Sequence, residues 1–198
     1  MNGKVQTPSR RGRPSGLRLT DLWRSRSAVA AIEFAFLMPI FLVLFVGIID
    51  VGMMLVQDYK LDQAVAAGQE YAAINGASVT AANGATLASN IATTVESANG
   101  NAWANDTVVV NDGPTVTVTN GSASSSDSGG VGSCYCPTGS PPNWTWGSAM
   151  TCGASCSGSA TAGKFVTITA TATYTPFLTL YHFIGNGTLR QSAVVETQ

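Results

Sequence analysis

Four cysteines, Cys134, Cys136, Cys152 and Cys156, lie in one stretch of this 198-residue chain. Two chemistries are open to such a set. Four thiolates can hold zinc, but the C-x-C and C-x3-C spacings here differ from a zinc-ribbon pattern. In an oxidising compartment an even, clustered set forms disulfides instead. A bridge between Cys134 and Cys136 is strained, so each is expected to join Cys152 or Cys156, pinning a loop otherwise made of Gly, Ser and Pro. Two carboxylates, Glu33 and Asp50, flank the uncharged run Phe34–Ile49, FAFLMPIFLVLFVGII. A carboxylate in a membrane costs a few kcal/mol near the centre and much less at the interface. Asp50 is read as snorkelling to the outer interface. Glu33 either snorkels to the inner one or pairs with a group on another subunit. The single histidine, His182, sits between Tyr181 and Phe183 and reads as packed or interfacial rather than as a base. There is no acid pair, phosphate loop, metal motif or nucleophile elbow. The chain therefore reads as a non-enzyme without cofactor.

The elements that position these groups start from a charge asymmetry. Seven of the ten basic residues lie in the first 26 positions, opposed only by Asp21. Positive charge in front of a hydrophobic span holds that end in the cytoplasm. Residues 1–27 are thus a basic cytoplasmic arm, and everything after the span is expected outside the cytoplasm. There, three cations face nine acids. A mildly acidic exported part argues against nucleic acid as a partner, and the basic arm is more simply a topology signal.

The sixteen apolar residues fall slightly short of the roughly 20 that a bilayer requires. Extension in either direction takes in Glu33 or Asp50. A cleaved signal peptide fits poorly, because no small-x-small site closes the run and Asp50, Met53, Met54 and Leu55 follow it. A retained signal anchor fits better, and membrane helices tolerate the proline at Pro39. Beyond the span, Leu61, Ala64, Val65, Gly68, Tyr71 and Ala72 recur at three- and four-residue steps. With no turn between, one helix is expected from near Ala28 to near Asn75, stopped by Asn75-Gly76. Its small residues (Ala64, Ala66, Ala67, Gly68, Ala72, Ala73) suit either an oligomeric seam or packing on the chain's own domain. A weaker helix is expected over Ala85–Ser97.

Past Gly100 the pattern changes to strand. Thr107–Val110 and Thr115–Thr119 form an expected hairpin across Asn111-Asp112-Gly113-Pro114. Gly121–Ser133, rich in Ser and Gly, reads as a loop. Phe165–Tyr174 alternates cleanly, with Val166, Ile168, Ala170, Ala172 and Tyr174 on one face and threonines on the other. Thr188–Glu196 follows as a last strand. Strands in sequence order with tight links favour an antiparallel sheet. The expected class is α+β: a long N-terminal helix (residues 28–77, membrane span plus amphipathic extension), then a small antiparallel β-sheet domain (78–198) with a disulfide-pinned Ser/Gly/Cys-rich loop over 121–163.

The stretch SAVAAIEFAFLMPIFLVLFVGIIDVGMMLVQDYKLDQAVAAGQEYAA resembles the N-terminal signature of TadE-like proteins, minor pilins or pseudopilins of the tight-adherence (Tad) pilus in the type IV filament superfamily. The resemblance rests on Ala30-Ala31-Ile32-Glu33-Phe34, Pro39, Gly47, Asp50 with Gly52, and the Ala-rich Leu61–Ala73 segment. The strand Phe165–Tyr174, with Pro176 and a final short strand, is also similar to the family's C-terminal half. Residues 78–163 carry no match. The resemblance implies a structural role in building or anchoring a surface filament. Its implied partners are the lipid bilayer, other pilins and the pilus assembly platform. Glu33 would correspond to the pilin glutamate that neutralises the freed amine of a neighbouring subunit. A prepilin peptidase would cut between Ala28 and Val29. The family pattern has glycine before the cut where this chain has Ala28, which leaves an uncleaved anchored form open. The alternative function is a membrane-anchored extracytoplasmic binding or adhesion protein whose disulfide-stabilised loop recognises a ligand.

Overall fold

The computed structural model describes residues 26–100, 103–141, 143–158, 160–177 and 187–197, with side chains from Val29 onward. Most of the basic arm, together with His182, lies outside the described residues. The chain divides into two compact units, Met1–Val46 and Gly47–Gln198.

Helix α1 runs Arg26–Ile74, with Pro39 inside it. In the first unit its large apolar side chains, Phe34, Phe36, Phe41, Leu44 and Phe45 among them, are exposed, and Val46 at the unit's end is half-buried. Left in water, such a surface would forgo about 25 cal/mol for each Å² of apolar area left unburied. The helix is long and apolar enough to cross a membrane. The helix ends where Asn75 uses both its backbone N–H (3.1 Å) and its side-chain amide (2.9 Å) on the Tyr71 carbonyl. That carbonyl is one of those a helix C-terminus leaves without a partner.

In the second unit Leu61, Ala64, Val65 and Ala72 of α1 are buried in a single apolar core. They share it with Leu87, Ala88, Ile91, Ala92 and Val95 of helix α2 (Gly84–Asn99) and with one face of a five-stranded sheet. Gly68 shows why the small residues are there. A Cβ at this position would lie 2.6 Å from Val95 Cγ2 and 3.1 Å from Ile168 Cδ1, so α1 can approach α2 and the sheet only without one. Ala64, Gly68 and Ala72 thus pack on the chain's own domain, while Ala66 and Ala73 face outward. Helix α2 is three residues longer than its periodicity predicts. It stops at Gly100, whose φ of +79° lets its N–H reach back to the carbonyls of Glu96 and Ser97.

The strands are β1 (Ala104–Val110), β2 (Pro114–Thr119), β3 (Ser122–Asp127), β4 (Phe165–Thr173) and β5 (Thr188–Glu196). They lie in the order β3-β2-β1-β4-β5, every neighbour antiparallel. Val108, Val110, Val116, Val118, Val166 and Ile168 point into the core, and hydroxyl side chains alternate with most of them. The β1–β2 link places Asn111 and Asp112 both at φ +53°, and the Gly113 N–H closes on the Val110 carbonyl at 3.0 Å. Two consecutive left-handed residues mark a type I′ turn, whose twist matches that of the strands. Asn111 does more than turn the chain. Its amide donates to the Val131 and Ser133 carbonyls and its Oδ1 accepts from the Phe165 N–H, stitching the turn to the loop and to β4.

One expectation is corrected. Gly121–Ser133 is not an unstructured loop: Ser122–Asp127 forms edge strand β3, and Gly130–Gly132 is a 3-10 turn that buries Val131. Every β3 side chain is exposed, so the strand is held by its ladder to β2 rather than by burial. Ser/Gly composition says nothing about such a strand. The turn before it does: Asn120 (φ +50°) and Gly121 (φ +74°) form a second left-handed pair, and Asn-Gly is the strongest short hairpin signal.

Candidate functional site

Glu33 lies in the first unit, on α1, with its side chain exposed among apolar neighbours that are exposed as well. Val29 is also exposed. The Ala28–Val29 bond lies in the first turn of α1, the part of a helix that frays most readily.

Asp50 does not snorkel. It is 5 % exposed, in the second unit, where its carboxylate Oδ1 accepts from the Tyr174 hydroxyl and from the Phe177 backbone N–H at 3.2 Å. The Tyr174 oxygen also lies 2.8 Å from the Asp50 carbonyl. A buried carboxylate with two donors is compensated for leaving water, which removes the reason to snorkel. Burial, and then the bond to Asp50, push the Tyr174 phenol up to about 12. The residues that satisfy Asp50 stand 124 and 127 positions away in sequence, beyond the reach of any local pattern.

The cysteines pair as Cys134–Cys152 and Cys136–Cys156, with Cα separations of 4.9 and 5.6 Å. No cysteine is free, so none is left as a thiolate for zinc. Among the described residues no group of three or more His, Cys, Asp or Glu is placed to hold a metal ion. The two bridges interleave in sequence and fasten the segment between β3 and β4 into a knob. Isolated antiparallel bridges between Cys134 and Met150, Tyr135 and Gly163, Thr138 and Thr145, and Ser155 and Thr161 complete it. From this knob Trp144 meets Phe165 edge-on at 5.8 Å and Trp146 at 5.9 Å, and Trp146 meets Tyr135 at 5.6 Å. Such edge-to-face contacts are each worth about 0.5–1.5 kcal/mol beyond the area they bury. The pair leans over the outer face of β4 and β5, leaving a cleft of about 180 Å³ lined by Pro141, Trp144, Trp146, Thr167, Thr169 and Ser192 with Ala193.

A second buried carboxylate, Asp106, points from β1 toward the end of α2. It is 1 % exposed and accepts from the Asn99 amide at 3.3 and 3.5 Å. Burial raises it to about 6, the Asn99 bond opposes that shift, and the nearby Glu96 charge adds to it. Sequence reading passed over both Asp106 and the tryptophans. The alternation of β1 (Ala104, Asp106, Val108, Val110 on one face) is the signal that would have placed Asp106 inside.

Among curated proteins and solved structures nothing matches this chain. A family model does match, over residues 28–69, and its description is TadE-like protein. The matched segment contains Glu33, Pro39, Asp50 and Gly68 and ends before the first strand. The N-terminal helix of this chain therefore carries the TadE-like signature over residues 28–69.

Proposed function

We propose that this protein is a membrane-anchored, pseudopilin-like structural component that takes part in assembling or anchoring a Tad-type surface pilus. The observation that carries the reading is the coincidence of the TadE-like match with a helix long and apolar enough to cross a membrane, bearing Glu33 near its start. In this reading the basic arm stays in the cytoplasm and the β-sheet domain lies outside, in the periplasm or at the surface. Two disulfides suit that oxidising side. Glu33 meets an amine or basic group of a neighbouring pilin within the bilayer, where a lone carboxylate is disfavoured. A prepilin peptidase acting between Ala28 and Val29 would supply that amine. Chromosomal deletion should abolish or sharply reduce surface filaments, and the wild-type chain supplied in trans should restore them. Unchanged filaments in the deletion strain would refute the role.

A second reading, an anchored extracytoplasmic binding or adhesion protein, is favoured by one observation. The disulfide knob does more than close a loop: it holds two tryptophans over the sheet.

A further inference from the structure

The outer face of the sheet carries an unbroken row of hydroxyl side chains across all five strands. The register sets Ser124 beside Thr117, Thr117 beside Thr107, Thr107 beside Thr169 and Thr169 beside Ser192. At about 4.8 Å between strands the row spans roughly 19 Å. Among the described residues no hydrogen bond engages the side-chain hydroxyls of Thr107, Thr117, Thr169 or Ser192, and Ser124 donates only to the Thr117 carbonyl. At its β5 end the row runs into the cleft under Trp144 and Trp146.

We infer that this face binds a neutral polysaccharide, one sugar ring seated in the tryptophan cleft and the following rings lying along the hydroxyl row. Three features select that class. A pyranose presents a C–H face, which packs on the electron-rich face of an indole. It also presents a rim of hydroxyls that both donate and accept, as Ser and Thr hydroxyls do. The cleft lining and the row contain no charged residue. Arg190, opposite Thr171 and two positions from Ser192, is a cation on the same face beside the row, and an acidic glycan would meet a domain whose nine acids outnumber its three cations. The disulfides supply preorganisation, since a loop of Gly, Ser and Pro would otherwise lose the ordering entropy of the aromatic pair at each binding event. The inference does not depend on filament assembly and can fail or stand apart from it.

The test uses the full chain in lipid nanodiscs, which carry no sugar headgroups. Cellohexaose, mannohexaose and maltohexaose are titrated while tryptophan fluorescence is followed, with a hexagalacturonate as the anionic comparison. At least one neutral hexasaccharide should give a saturable change, and hexagalacturonate none. Trp146→Ala should weaken that binding roughly tenfold. Thr117→Val, on the open part of the row and nearly isosteric, should weaken it by about two- to tenfold with the disulfides and circular dichroism unchanged. Thr117→Val keeps the test decisive if Trp146→Ala disturbs the knob. The inference is overturned if no neutral hexasaccharide acts at millimolar concentration. It is equally overturned if hexagalacturonate binds more tightly, or if binding survives Thr117→Val unchanged.

Discussion

The Tyr174 hydroxyl, just past the end of β4, donates to the carboxylate of Asp50 on α1, and the Phe177 N–H fills a second site on the same oxygen. Within the second unit this clasp ties the last stretch of β4 to the helix at the residue where the uncharged run ends. Tyr174→Phe keeps the ring and removes the donor, leaving a buried carboxylate short of a partner. The expected loss is about 1–3 kcal/mol. It also has a pH signature. Tyr174 is raised from 10.0 to about 12, so between those values the folded chain keeps a proton that the unfolded chain has lost. The stability it contributes is complete below pH 10 and falls as pH rises through 12. Thermal unfolding in nanodiscs should show wild type losing more than Tyr174→Phe over that interval; parallel curves would remove the clasp from the account.

Asp106 titrates in a more accessible range with the same sign. Its folded value of about 6 stands above the ordinary 3.8, so its carboxyl is protonated in the folded chain where the unfolded chain has ionised. Stability from this group is full below about pH 3.8 and declines as pH rises through 6. Asp106→Asn removes the titration and keeps the shape. The variant should therefore gain on wild type as pH goes from 4 to 7. Denaturation midpoints at the two values read this directly, and a constant difference would show that Asp106 does not couple to folding.

How much of this was legible beforehand divides along one physical line. Periodicity reports burial, so α1, α2 and the inward faces of β1, β2 and β4 could be read from Leu61, Ile91, Val108, Val116 and Ile168. Strand β5 was readable as well, as the last strand Thr188–Glu196. Strand β3 buries nothing and so leaves no periodic trace; only Asn120-Gly121 announced it. The cysteine spacing limited the pairings without choosing between them, because connectivity depends on how the knob folds back. Asp50 was misread because its donors come from the far end of the chain. The tryptophans were passed over because their meaning lies in the threonines beneath them, on a strand that starts only after the loop has closed.

The disulfides offer a separate check. Unreduced, alkylated protein should show no free thiol by mass spectrometry, with peptides linking Cys134 to Cys152 and Cys136 to Cys156. Replacing Cys136 and Cys156 by serine opens a loop with a sequence separation of 20 and should lower stability by about 2–4 kcal/mol. The sheet should persist, since its ladders do not pass through the knob. Near-ultraviolet dichroism should change more than far-ultraviolet, because Trp144 and Trp146 lose their frame. Loss of the β signal in the far-ultraviolet would mean that the knob is needed for the sheet itself.

Glu33 carries the sharpest functional prediction. A carboxylate at the start of a membrane span must reach the interface, take up a proton or find a partner, and its side chain is exposed on α1. If the partner is the freed amine or a basic side chain of a neighbouring pilin, Glu33→Gln should insert normally and accumulate to wild-type level. Surface filaments, counted by electron microscopy, should then fall. If Glu33 only snorkels, the glutamine variant should insert slightly better and assemble as well as wild type. Sequencing the mature N-terminus separates the two partner chemistries. A start at Val29 places a free amine four residues along the helix from Glu33, about one turn at 3.6 residues per turn. A start at Met1 or Asn2, together with full filament counts for Glu33→Gln, would reduce Glu33 to an interfacial residue and leave the family role resting on packing of the helix alone.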